Sequence, residues 1–254
     1  NWQHQNTRLN TQAYLFNPQP NMVLQLYFDL LSQPSRAIYI FLKVNKIQFE
    51  AKEVSLRKGE QYAEEFKKLN PFSKVPFIID DGFILTESVA ILRYLSLKHN
   101  VAEHWYPRSD VKAQARVDEY LNWQHQNIRF IEANIFREKF IVPRQEKKPI
   151  NQIRVDQAKA MLSVNIGHLE TYYLKGRPFL CGHDISVTDI LAVCELMQLV
   201  AVQEEDIYQS NAAVAAWIER VNSSLQPYFD SAHANLYAMR ERFISAQSSQ
   251  KAKM

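Results

Sequence analysis

The sequence predicts a small α/β domain followed by an all-helical one. Three observations carry that expectation. Strand-like runs fall only before residue 100, an Asp-Gly pair joins two of them, and beyond residue 110 every apolar pattern has helical spacing. The expected boundaries are an extension over 1–21, disordered or of artificial origin, an α/β domain over 22–100, a linker over 101–109, a helical domain over 110–245 and a flexible tail over 246–254.

The first twenty-one residues are polar, with no sustained period. Residues 1–8 read NWQHQNTR and residues 122–129 read NWQHQNIR, an echo too short to be a repeat architecture. Residues 1–21 are read as lying outside the fold, with Met22 as the original start, and chance or artificial origin would explain the echo. Leu24, Leu26 and Phe28 alternate, as in a half-buried strand. Ser32-Gln33-Pro34 opens a helix, because Ser is a good N-cap and the missing Pro N–H is harmless in a first turn. Ala37, Ile38, Ile40, Phe41, Leu42 and Val44 carry it to about Asn45.

A second strand is expected near 48–54, then a polar stretch over 58–70 with a helical segment inside it. The runs 75–79 and 83–85 flank Asp80-Asp81-Gly82, a hairpin signal because Gly accepts the positive φ of a tight turn. Thr86-Glu87-Ser88 caps a third helix. After the linker, helices are expected at roughly 110–140, 150–174, 187–203, 211–222 and 226–245. Ser186-Val187-Thr188-Asp189 has capping-box spacing, and the helix it opens is apolar nearly all round, which places it inside a bundle.

Composition removes several function classes. A net charge of +3 with no basic stripe gives no case for nucleic acid. No apolar run is long enough to span a membrane, and no secretory leader is evident. Five glycines leave no phosphate-cradling loop. Cys181 and Cys194 form no disulfide pattern, which suits a reducing, cytoplasmic setting. Cys181-Gly182-His183 lacks the further ligands of a zinc site, so no metal is expected.

The stretch Ser32-Gln33-Pro34-Ser35 lies where a thioredoxin-like unit would carry a C-x-x-C pair. Serines cannot perform thiol–disulfide exchange. What is left is a hydroxyl at a helix N-terminus, where a nearby anion is favoured. If that anion is a substrate thiolate, lowering its pKa by about two units takes ~3 kcal/mol. A hydrogen bond to a charged group supplies roughly 1.5–3 kcal/mol and a helix N-terminus about 0.3–2 kcal/mol, so no general base is needed. Simple N-capping is the alternative for Ser32. Pro76 is either an edge-strand proline or a cis-proline, and the cis form would leave the Val75 N–H and C=O for a peptide-like ligand. Glu87-Ser88 could hold a ligand's charged end or only cap a helix. Trp123 is expected in the core, and Arg129 either on the surface or aimed at the site.

LYFDLLSQPSRAIYIFLK, then K-G-E-Q and LNPFSKVPFIIDDGFILTESVAILRYL, resemble the N-terminal domain of theta-class glutathione transferases. WYPRSDVKAQARVDEYLNWQHQNIR resembles the opening of their helical domain, and ISVTDILAVCEL their capping-box helix. SKVP and TES are shared across the transferase superfamily. The LLSQP serine and DEYLNWQHQNIR point to the theta class. The resemblance covers about residues 22–245.

It implies a thioredoxin-like domain, an all-helical domain, a homodimer and glutathione as co-substrate, with no separate cofactor. It makes Ser32 the catalytic hydrogen-bond donor to the glutathione sulfur, followed by Gln33. Lys74, Val75 and Pro76 would pair with the cysteinyl backbone, and Glu87 and Ser88 with the γ-glutamyl end. Gln61 stands where theta enzymes often have a His facing the glycine carboxylate. Arg129 matches an arginine that in some members points at the thiolate. The implied reaction conjugates glutathione to small hydrophobic electrophiles such as alkyl halides and epoxides, and extends to peroxide reduction. The acceptor pocket would lie between Leu31, the helix around Phe130 and the C-terminal helix. A non-catalytic glutathione-binding or dimerisation module and a dehalogenase-like relative are the alternatives.

Overall fold

The computed structural model describes residues 23–251, and side chains as far as residue 245. The extension expected over 1–21 lies outside the described residues. Strand β1 (Gln25–Phe28) alternates as expected, with Leu26 and Phe28 buried. Helix α1 (Gln33–Val44) follows, then β2 (Glu50–Glu53), two single turns of 3-10 helix, and α2 (Glu64–Leu69). The hairpin is β3 (Phe77–Asp80) and β4 (Phe83–Leu85), turning through Asp81 and Gly82 at positive φ. Helix α3 (Ser88–Lys98) closes the α/β part.

The sheet order is β2-β1-β3-β4. β1 runs parallel to β2 and antiparallel to β3, with Leu26 opposite both Ala51 and Ile78. β1 is therefore interior, and the loop leaving its end is held between the sheet and the helical part. β2 is an edge strand of mostly exposed residues.

Helix α4 (Val111–Gln124) runs through a π-turn (His125–Arg129) into α5 (Phe130–Phe136) and a second wide-turn stretch (Arg137–Glu146). The sequence placed the end of this rod near 140. It continues to Glu146 because the wide turns accommodate Pro143, and it stops at Lys147, whose φ is +56°. Helix α6 (Gln152–His168) extends as another wide-turned stretch to Leu174. Helix α7 (Val187–Leu196) is buried at every residue, as its apolar circumference requires. Asp189 accepts from the backbone N–H of Ser186 at 2.9 Å, completing the capping box. Helices α8 (Asp206–Gln209), α9 (Ala212–Ser224) and α10 (Tyr228–Lys251) complete the chain. α10 continues six residues past the end at 245 read from the sequence.

One apolar core joins the two parts. Ile38, Phe41 and Leu42 of α1 share it with Ile190, Leu191 and Cys194 of α7 and with Phe229 and Leu236 of α10. Trp123, expected in the core, is only partly buried and packs from the outside on Tyr120 and Tyr173.

Candidate active site

Asp29 shapes the loop between β1 and α1. Its two carboxylate oxygens accept from the N–H of Leu31 at 2.9 Å and of Leu56 at 3.0 Å, and its carbonyl accepts from Ser32 N–H at 2.9 Å. Arg36, fully buried in the first turns of α1, donates from Nη1 to the carbonyls of Leu30 and Leu31. Its Nη2 reaches across to the Cys194 carbonyl at 2.8 Å and to Gln198 Oε1 at 2.9 Å. The stretch 29–32 is thus fixed from both sides.

Ser32 is the backbone N-cap of α1, yet its side chain makes no capping hydrogen bond. Pro34 in the first turn has no N–H to offer it. The hydroxyl turns instead to the carbonyl of Val75, at 3.4 Å. A well-made O–H···O bond is about 2.5–3.0 Å, so this one is weak and easily exchanged for a better acceptor.

Val75 owes its position to Asn70, which is buried. Asn70 Nδ2 donates to the Lys74 carbonyl at 2.7 Å and its Oδ1 accepts from Phe72 N–H at 3.0 Å. The Val75–Pro76 bond is cis. At the start of α3, Glu87 has φ +67°, a conformation that side chains other than glycine seldom adopt, and its side chain makes no capping bond. Such strain costs roughly 1–3 kcal/mol and collects at functional sites.

A cleft of about 540 Å³ lies among these elements. Lys74, Val75, Pro76, Glu87, Ser88 and Arg129 all line it. Ser32 meets this wall through the Val75 carbonyl. The two parts of the chain thus share one cavity: five of these residues come from the α/β part and Arg129 from the π-turn. π-turns recur at functional sites because the wider turn re-aims side chains, and here His125 and Phe130 are also presented to the cleft. Burial, with Arg129 nearby, holds the His125 imidazole below its ordinary pKa, against the pull of Glu87.

The side chains of two further expected site residues are engaged or buried apart from this lining. Gln33 donates through Nε2 to Glu132 Oε2 at 3.0 Å, and is absent from the cleft lining. Gln61 is buried, with its side-chain oxygen unpaired. Behind the cleft, Glu132 and Glu195 are both fully buried. Burial raises both carboxyl pKa values, and the neighbouring Glu195 charge raises that of Glu132 further; Arg36 and Arg129 oppose the shift at each. Sequence reasoning passed over Asp29, Arg36, Asn70, Glu132 and Glu195. The one available signal was a charged residue interrupting an apolar helix face, at Arg36 and at Glu195. Among the described residues no cluster of three or more His, Cys, Asp or Glu is placed to hold a metal ion.

Leu30 and Leu31 line a separate depression of about 410 Å³, together with Asn235 of α10 and, opposite, Arg57 and Lys58.

The family model described as glutathione S-transferase, N-terminal domain, matches residues 22–96. Glutathione S-transferase theta-1 of Rattus norvegicus is 42% identical over 221 residues, covering 87% of this chain and 91% of the relative. The apo structure of human glutathione-S-transferase T1-1 superposes with a TM-score of 0.81 at 39% identity, over 86% of this chain and 91% of that one. A human theta-class glutathione transferase in complex with the glutathione conjugate of 1-menaphthyl sulfate gives a TM-score of 0.83 at 37% identity, over 89% and 92% of the two chains. On this likeness, which spans both parts of the fold, the chain belongs to the theta-class glutathione transferases.

Proposed function

We propose that this chain conjugates glutathione to small hydrophobic electrophiles, with Ser32 stabilising the thiolate. The observation that carries the reading is the Ser32 hydroxyl: it stands at a helix N-terminus, unused for capping, and is only weakly engaged with Val75. Bound glutathione loses its thiol proton to solvent. The Ser32 O–H turns from the carbonyl to the sulfur anion, which the N-terminal end of α1 also favours. The sulfur lone pair then forms the C–S bond while the leaving group departs with the electrons of its own bond to carbon. Binding supplies proximity and the hydroxyl supplies charge stabilisation, so Ser32 is a donor and not a nucleophile.

The assignment of Val75 to the cysteinyl backbone is supported by its place on the cleft wall beside Ser32. Glu87 and Ser88 at the start of α3 suit the charged γ-glutamyl end, and Lys74 a carboxylate. Arg129 brings a cation to the same cavity. Gln61, being buried, would reach the glycine end only by turning outward, and Gln33 would act through its main chain. The acceptor side is assigned to the neighbourhood of Ser32 on the side of Leu31 and Asn235, which line a depression of their own, with Phe130 on the cleft wall. Glutathione is the co-substrate, and the reaction balances with no separate cofactor.

Exposed Phe83 and Leu97, with Phe72 where it also lines the cleft, leave apolar side chains on the α/β part that a second copy of the chain could cover, which supports a homodimer. Both cysteines are free thiols, in keeping with a reducing cytoplasm. Among the described residues, no helix is long and apolar enough to cross a membrane.

The test is a titration of glutathione against the protein and Ser32→Ala, read by ultraviolet thiolate absorbance across pH. The expected result is a bound thiolate well below the free pKa in the wild type only. Identical curves in both would remove Ser32 from the mechanism, and binding without turnover on any electrophile would favour a non-catalytic module.

A further inference from the structure

Glu195 is an unusual residue for its position. All ten residues of α7 are buried, and Glu195 is fully so. Replacing a buried ion by an apolar side chain of equal volume is often stabilising, so packing alone does not explain a carboxylate here. Its Oε1 faces Arg129 Nη1 at 3.5 Å, while Oε2 has no hydrogen-bond partner; the buried Arg36 cation and the Glu132 carboxyl are its other charged neighbours. Arg129 itself is one-third exposed at the cleft wall. An arginine in that place, without an anchor, would spread over many rotamers in solvent. The contact joins α7 to the π-turn over 66 positions of sequence.

We propose that Glu195 is a positioning residue for the transfer reaction: from beneath the cleft its buried charge draws the Arg129 guanidinium, across an ion-pair contact longer than a well-made hydrogen bond, and biases it towards the cleft that Val75 and Glu87 also line. The guanidinium is a planar fork and Glu195 meets it at Nη1 alone, which leaves other N–H groups to face an anion in the cleft. Glu195 does not touch the substrate. It fixes in advance where the positive charge stands, which is what charge stabilisation in a pre-organised site requires. This inference rests on the transferase reading above.

The test is a kinetic double-mutant cycle of wild type, Glu195→Gln, Arg129→Ala and the double variant, with glutathione and a nitrobenzyl halide. Glu195→Gln and Arg129→Ala should each lower kcat/KM by about tenfold, and the double variant should fall no further than Arg129→Ala. The pH at which the bound thiolate forms should rise in Glu195→Gln and rise no more in the double variant. A purely structural role would lower the melting temperature and leave that pH unmoved. Additive losses, or an unshifted thiolate titration, would overturn the proposal. Glu195→Met, which keeps the volume and removes the charge, provides the same comparison should the Gln variant not fold. A wild-type protein that forms no bound thiolate would overturn the transferase reading itself; an active wild type with an additive cycle would overturn only the role of Glu195.

Discussion

The side-chain amide of Gln33 donates to Oε2 of Glu132 at 3.0 Å, tying the first residue of α1 to α5 across the junction of the two parts. The other carboxyl oxygen of Glu132 is buried and unpartnered. Ser32 precedes Gln33 directly, so this bond bears on the donor at the site.

The folded-state pKa of Glu132 stands well above the ordinary 4.5, first because of burial and then because of Glu195. A group raised in this way contributes stability below its unfolded pKa and loses it as pH rises towards the folded value. Glu132→Gln mimics the protonated form. It should match the wild type in acid and exceed it increasingly as pH rises towards neutral, in urea unfolding followed at several pH values. Wild-type stability that instead grows relative to the variant from pH 5 to 8 would mean Glu132 is held ionised.

Ser32→Ala removes one hydroxyl that no capping bond uses. The fold and glutathione affinity should be largely unchanged. Turnover should fall by about one to two orders of magnitude, roughly 1.4–3 kcal/mol of barrier, measured as kcat on an alkyl halide. An unaltered kcat would count against the donor role.

Glu87 combines a glycine-like φ of +67° with a place on the cleft wall. Glu87→Gly should relieve the strain and raise stability by up to about 1 kcal/mol, while KM for glutathione rises through loss of the carboxylate. Thermal unfolding beside steady-state kinetics would show the two effects moving in opposite directions. A drop in both stability and affinity would show that the side chain serves packing.

Asp189 accepts from Leu180 N–H and Trp217 Nε1 at 2.9 Å each, and from Ser186 N–H at 2.9 Å. Asp189→Ala strands all three buried donors. A loss of about 3–5 kcal/mol is expected from the denaturation midpoint, with lower soluble yield. A loss under ~1 kcal/mol would mean that water replaces the carboxylate.

Much of this architecture was legible in the chain because its signals are local. Alternation at Leu24, Leu26 and Phe28, the Asp-Gly turn and the Ser186–Asp189 cap each involve neighbours a few positions apart. The position of Ser32 was legible for the same reason. The purpose of its hydroxyl was not, since that depends on Val75, 43 residues away. The bond that Gln33 makes to Glu132 was not legible either, since that partner lies 99 positions on. Arg36 and Glu195 looked like helix residues with no visible role, because their partners come from other elements. The π-turn at His125–Arg129 has no sequence period of its own, so nothing in the chain's spacing marked Arg129, its last residue, as lining the cavity, or Trp123, just before the turn, as only partly buried.

Arg36 has a mechanical consequence. One guanidinium nitrogen grips the carbonyls of Leu30 and Leu31, and the other grips Cys194 and Gln198. Pulling the two parts of the chain apart would strip the second pair of bonds from a cation that the interior otherwise disfavours. Neither part can loosen at this seam while the other stays native, so the chain should melt as a single unit, and the loop bearing Ser32 should be among the last segments to exchange its amide protons.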